Sequence, residues 1–300
     1  MDTQPTLNNW LSILALGVIW GGTFMVVSIA LEGYGPLTVA CARTTLGAIA
    51  LLSLMKAMGR QWPDWSPRLI KFLIVIGALN TALPFALLSW GQQYVPSAFA
   101  GISMAALPLF VLPLAHFFSD EKMSGRKLVG VCLGFTGALV LIGPGVLRIG
   151  TGWEPLGQIA CVAAALSYAV SSVMTRTCPP IDSVVMAALT LVVGSVCLIP
   201  AMLYFEGIPE WTGTRAAWAI LFLGFVPTAF ANLLRVATIR TAGSVFMTLV
   251  NYQVPLWSML FGAWILSEDL PWRFFAALAL ILTGLAISQW LSLKKLFVRG

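Results

Sequence analysis

The sequence predicts an all-α polytopic membrane protein of ten transmembrane helices arranged as two inverted five-helix repeats. Three observations carry the prediction: an extreme composition, a succession of apolar runs of spanning length, and a set of rare residues that recur at one fixed displacement. Of 300 residues, 59% are hydrophobic and 9% charged, whereas soluble globular chains carry roughly 45–50% apolar and about 25% charged residues. A single soluble core cannot absorb that much apolar surface.

A span of the hydrocarbon core needs about 20 apolar residues, with a range of roughly 17–25. Runs of that kind lie near 11–31, 37–57, 70–92, 97–118 and 127–143, and a second set near 156–175, 184–204, 216–237, 244–265 and 273–293. None alternates apolar with polar, which excludes a β-barrel. The first run exceeds the usual core of a cleaved leader and no Lys or Arg precedes it, so it is read as a retained helix. Trp10, Trp62, Trp65, Trp153, Trp211, Trp218, Trp272 and Trp290 fall near run ends, where indole rings favour the interface. Trp20 and Trp257 do not.

Charge sets the orientation. With the N-terminus inside, Lys56, Arg60, Arg68, Lys71, Lys122, Arg126, Lys127, Arg176, Arg235, Arg240, Lys294, Lys295 and Arg299 face the cytoplasm, against Arg148, Arg215 and Arg273 outside. This asymmetry obeys the positive-inside rule and predicts a bacterial inner-membrane protein with both termini cytoplasmic. The same scatter of basic residues over short loops gives no patch for nucleic acid.

Displacing the chain by 147 residues lays Pro108 on Pro255, Glu121 on Glu268, Arg126 on Arg273 and Thr136-Gly137 on Thr283-Gly284. Two modules follow, 11–143 and 156–293. An odd number of helices in each forces opposite orientations, the plan of many secondary transporters, with a substrate site expected near the midplane.

The motifs resemble those of a known family. GVIWGGTFM (17–25), CARTTLGAIALL (41–52) and the stretch MAALPLFVLPLAHFFSDEKMSGRKLVGVCLGFTGALVL mark the first half; AALSYAVSSVMTR (164–176) and VPLWSMLFGAWILSEDLPWRFFAALALILTGLAI mark the second. Nearly the whole chain is similar to the EamA-type exporters of the drug/metabolite transporter superfamily. Members export amino acids and other metabolites, so the resemblance, with aromatic-rich inner helices, implies an exporter of aromatic amino acids working by alternating access. Tyr168 departs from the family pattern, which often carries Trp there.

Candidate cavity residues are the polar and aromatic groups placed mid-span: Trp20, Thr23, Asn80, Tyr168, Asn232, Tyr252, Gln253 and Trp257. Amides and hydroxyls in hydrocarbon need partners, so they either bridge helices or face a cavity. Arg43, about six residues into the second span, either meets a substrate carboxylate or ties helix ends, because a charge there costs about 2.5 kcal/mol or more without a partner. Pro84, Pro108, Pro113, Pro227 and Pro255 remove backbone bonds inside spans and predict kinks, fixed or gating.

All eleven acids fall in loops or at helix ends, which disfavours a proton relay through a buried carboxylate and favours facilitated diffusion. His116 is the remaining candidate for a proton role, under a proton-coupled antiporter reading. A lipid-modifying enzyme would need a nucleophile, base or metal cluster that one His without buried acids does not supply. A channel would need a selectivity ring, and a non-transporting scaffold is opposed by the repeat alone. No cofactor is implied: the five Cys form no CxxC pair and there is no GxxxxGK[ST] loop. The expected partners are a small-molecule substrate and the lipid bilayer, and the oligomeric state is left open, a monomer being sufficient.

Overall fold

The computed structural model describes residues 6–118, 124–143, 152–242, 244–247 and 249–290. The turn Asp120, Glu121, Lys122, as well as Arg148, Lys294, Lys295 and Arg299, lie outside the described residues. Among the described residues every regular element is helical.

The elements are α1 (Leu7–Leu31), α2 (Pro36–Ala57), α3 (Pro67–Gly77), α4 (Leu83–Gly91), α5 (Ser97–Ala105), α6 (Leu107–Phe118), α7 (Gly125–Ile142), α8 (Glu154–Thr177), α9 (Ser183–Phe205), α10 (Arg215–Leu223), α11 (Ala231–Ala242), α12 (Ser244–Met247), α13 (Val250–Ile265) and α14 (Trp272–Ser288). Two π-turns, Ala78–Ala82 and Gly224–Phe230, join α3 to α4 and α10 to α11. Among the described residues eight helices or continuous helix pairs are long and apolar enough to cross a membrane, and α14 is a shorter apolar helix.

Local chemistry explains the boundaries. Thr6, Ser66 and Ser124 cap α1, α3 and α7 through their side chains, and Asp182 accepts from Val184 and Val185 to cap α9. Pro36 and Pro67 open α2 and α3 where a missing N–H costs nothing. Gly59 and Gly143 stop α2 and α7 at positive φ.

Two expected spans are interrupted. The run 97–118 breaks at Ala106, with Pro108 at the second position of the new helix, and the run 244–265 divides into α12 and α13 around Leu249. Pro108 cannot donate to the preceding turn, so the first break falls where its ring would clash. The tenth run ends its described helix at Ser288, short of the expected 293.

Helix association in lipid rests on close packing rather than on apolar transfer, and glycines set the contacts. α7 and α14 meet through Gly130, Gly134, Gly137 and Gly284, where a Cβ on Gly130 would lie 2.5 Å from the Gly284 carbonyl. α1 crosses α13 at Gly17 and Gly21, against Gln253, Val254 and Trp257. The eight Trp residues expected near span ends are all exposed there.

At one end of the bundle two carboxylates cap helices distant in sequence. Glu206, after α9, accepts from the Leu37 and Thr38 amides at 2.8 and 2.7 Å. Glu268, after α13, accepts from the Ser97 and Ala98 amides at 2.6 and 3.1 Å. Negative charge suits helix N-termini, where amide hydrogens lack carbonyl partners. Ser267, at φ 53°, turns the chain so that Glu268 reaches back. At the opposite end Arg60 pairs with Asp182 at 3.4 Å.

Candidate functional site

The displacement of 147 residues read from the sequence reappears as contacts around the two π-turns. Gly47 of α2 lies against Thr228 of the second π-turn, and Gly194 of α9 against Thr81 of the first. Gly224 meets Leu46, and Gly77 meets Val193. Each contact is the repeat mate of the other. α2 therefore packs on the second π-turn as α9 packs on the first.

The π-turns leave carbonyls without helical partners, and side chains supply them. Pro84 has no N–H to give the preceding turn, and the Ser167 hydroxyl of α8 donates to the Leu79 carbonyl at 2.8 Å. Pro227 likewise has no N–H; the Thr228 hydroxyl donates to the Leu223 carbonyl at 2.7 Å, and the Trp20 ring N–H of α1 donates to the Pro227 carbonyl at 3.3 Å. Ser167 holds the repeat position of Trp20. Thus each π-turn is held by the same register position of a helix from the opposite half.

Between these turns sits Arg43. It is 8% exposed, its Nε donates to the Thr228 hydroxyl at 3.2 Å, and its guanidinium lies 3.8 Å over the Phe85 ring. Its terminal nitrogens make no hydrogen bond or ion pair among the described residues. The Tyr168 ring packs on the apolar cluster that contains Phe85 and Cys41, and its hydroxyl likewise has no hydrogen-bond partner among the described residues. Asn80, in the first π-turn and half-buried, carries an amide without a hydrogen bond among the described residues. A buried cation and a phenol thus lie by the Phe85 ring where the π-turns meet the helices of the other half, and the Asn80 amide belongs to the first of those turns.

A sequence model of the EamA-like transporter family matches residues 9–143 and matches again over residues 155–290. The chain belongs to the EamA-like transporter family. It is a multi-pass membrane transporter rather than an enzyme. Its relatives include the uncharacterized transporter YoaV of Bacillus subtilis, 27% identical over 93% of this chain and 96% of that one. The uncharacterized inner membrane transporter YedA of Escherichia coli K12 is 28% identical over 92% and 89%. A protein of Streptantibioticus cattleyicolor named as a probable terminal-alkyne amino-acid exporter is 26% identical over 73% and 72%. A solved crystal structure at 20% identity superposes with a TM-score of 0.66 over 96% of this chain and 98% of that one, which shows the fold alone.

The remaining expected site residues of this EamA-like transporter divide. Thr23 is buried and its hydroxyl bonds the Ile19 carbonyl of its own helix; the Asn232 amide bonds the Thr228 carbonyl in the same way. Gln253 and Trp257 pack on the glycines of α1, and Trp257 stacks on Phe261 at 5.7 Å. Tyr252 has a buried hydroxyl without a hydrogen-bond partner among the described residues. His116 is exposed in the last turn of α6 beside Phe117. Arg235 is exposed on α11. Pro84 and Pro227 belong to the π-turns, Pro108 to the break before α6, and Pro113 and Pro255 lie inside α6 and α13.

Phe85, Ser167, Thr190 and Thr228 are not among the residues that the sequence singles out. The signal for them is the repeat itself: the same displacement carries Trp20 to Ser167, Arg43 to Thr190 and Asn232 back to Phe85, and it pairs Thr228 with Thr81.

Proposed function

We propose that this chain is a carrier for small carboxylated metabolites, amino acids with aromatic side chains foremost, working by alternating access as ten helices in two inverted five-helix modules, 11–143 and 156–293. The observation that carries the reading is the buried Arg43 guanidinium, held at Nε by Thr228 and on one face by Phe85, with no acidic partner among the described residues. A charge kept in the hydrocarbon layer without an ion pair has a use there. A substrate carboxylate forms a bidentate pair with the two terminal nitrogens. Trp20, Tyr168 and Tyr252 offer rings to an aromatic side chain, and ring faces with the Asn80 amide receive the ammonium.

No described span carries a buried carboxylate, and His116 is exposed at a helix end. Facilitated diffusion down the substrate gradient therefore fits better than proton antiport. α12 with α13, and α14, complete the count of ten, and the basic loops favour cytoplasmic termini in a bacterial inner membrane. The double match to the family and the amino-acid exporter among the relatives support the same reading.

Counterflow of radiolabelled L-amino acids into proteoliposomes tests it, with and without an imposed pH gradient. Saturable exchange that ignores the gradient is expected; exchange that follows it favours proton coupling, and no exchange with any amino acid overturns the substrate class.

A further inference from the structure

Resting on the carboxylate reading above, we infer that Thr228 is the residue that positions Arg43 for substrate, and that the chain has a single carboxylate site although its architecture is duplicated. Arg43 and Thr190 hold the same position of the repeat, as do Thr228 and Thr81. The first pair is joined by the Arg43 Nε donating to the Thr228 hydroxyl at 3.2 Å. The second meets through the Thr81 hydroxyl, whose single proton is shared between the Gly77 carbonyl of its own helix at 2.6 Å and the Thr190 carbonyl at 3.2 Å. The helix-to-turn contact is therefore made at both repeat positions, once through a cationic side chain and once through a backbone carbonyl. The neutral copy packs with no charge at the mate position.

The geometry at Thr228 is specific. Its proton is committed to the Leu223 carbonyl at 2.7 Å, so toward Arg43 the oxygen only accepts. That fixes Nε and leaves the outer fork of the guanidinium free to take both oxygens of one carboxylate. Phe85 covers one face at 3.8 Å, so a carboxylate approaches along the edge. At the mate position the Thr190 hydroxyl is spent on its own helix, at 2.9 Å to the Met186 carbonyl and 3.0 Å to that of Ala187. Thr190 is neutral, so the mate position brings no charge to an anion, and the single carboxylate is assigned to the Arg43 position.

The test is L-phenylalanine counterflow in proteoliposomes with Thr228→Val, Thr228→Ser and Thr81→Val. Thr228→Val removes the acceptor and is expected to raise KM about tenfold with maximal exchange within about twofold, because a group that orients the binding fork acts on substrate capture. Thr228→Ser restores the wild-type KM, Thr81→Val leaves it unchanged, and inhibition by phenethylamine, which lacks the carboxylate, is the same in all four proteins. An unchanged KM in Thr228→Val, or an equal rise in Thr81→Val, overturns the inference while leaving the carrier reading standing. Wild-type protein that exchanges no amino acid overturns both. Thr228→Ala replaces the valine variant if that variant fails to assemble, since it relieves the contact with Gly47.

Discussion

Trp20 and Ser167 stand 147 residues apart, and each donates a hydrogen bond to a carbonyl in the π-turn of the opposite half, to Pro227 at 3.3 Å and to Leu79 at 2.8 Å. Side chains of unlike chemistry have kept one structural duty through a duplication. The duty is physical: each π-turn presents a carbonyl in a layer without water, and a donor from the neighbouring helix bonds it. The two π-turns are thus equivalent joints, each pinned across the boundary between halves.

Removing either pin has a modest and similar cost. Trp20→Phe and Ser167→Ala are each expected to lose about 0.6 kcal/mol, the average for hydrogen bonds between membrane helices. Thermal unfolding in detergent should show comparable small decreases for both, and a loss confined to Trp20→Phe would mean that indole packing matters more than its N–H.

The carboxylate caps should matter more. Glu206→Ala strips two amides of α2 of their acceptor, and Glu268→Ala does the same at α5; loss of a helix cap costs about 1 kcal/mol. Glutamine at either position retains one acceptor oxygen and should recover part of the lost melting temperature.

Gly130→Leu is expected to destabilise the protein by about 2–3 kcal/mol, because the new side chain must displace the α14 backbone at Gly284. Gly125→Ala, with nothing within 4 Å of the new Cβ, provides the control and should be neutral. Melting temperature and the yield of monodisperse protein report both.

Exchange of amino acids should be indifferent to an imposed pH gradient, and His116→Gln should leave both the rate and this indifference intact. The reason is placement: His116 is exposed in the last turn of α6, and no described span holds a buried acid. Gradient-driven accumulation abolished by His116→Gln would reverse the assignment.

Reporter fusions at the C-terminus test orientation. The basic residues Lys56, Arg60, Arg68, Lys71, Arg126, Lys127 and Arg176 share one face of the predicted topology. A cytoplasmic fluorescent reporter should therefore be active at the C-terminus and a periplasmic phosphatase silent.

The class of molecule, the order of its helices with their ends to within a few residues, and the duplication are all legible in the amino-acid sequence. They follow from local quantities: the length of an apolar run against the thickness of a bilayer, the placement of Trp, Pro and Gly, and the recurrence of rare residues. Arg43, Trp20 and Tyr168 are legible too, since a charge or ring in mid-span is visible without coordinates. Tertiary packing settles which of the candidate polar residues spend their hydrogen bonds on their own helix, as Thr23 and Asn232 do, and which have no hydrogen-bond partner among the described residues, as Asn80 and Tyr168. It also places Phe85 and Thr228 around Arg43, and it cuts two expected spans at Ala106 and Leu249. Hydrogen-bond partners 88 to 207 residues apart are chosen by how helices cross, and helix crossing is set by close packing of small residues whose partners a linear pattern does not name.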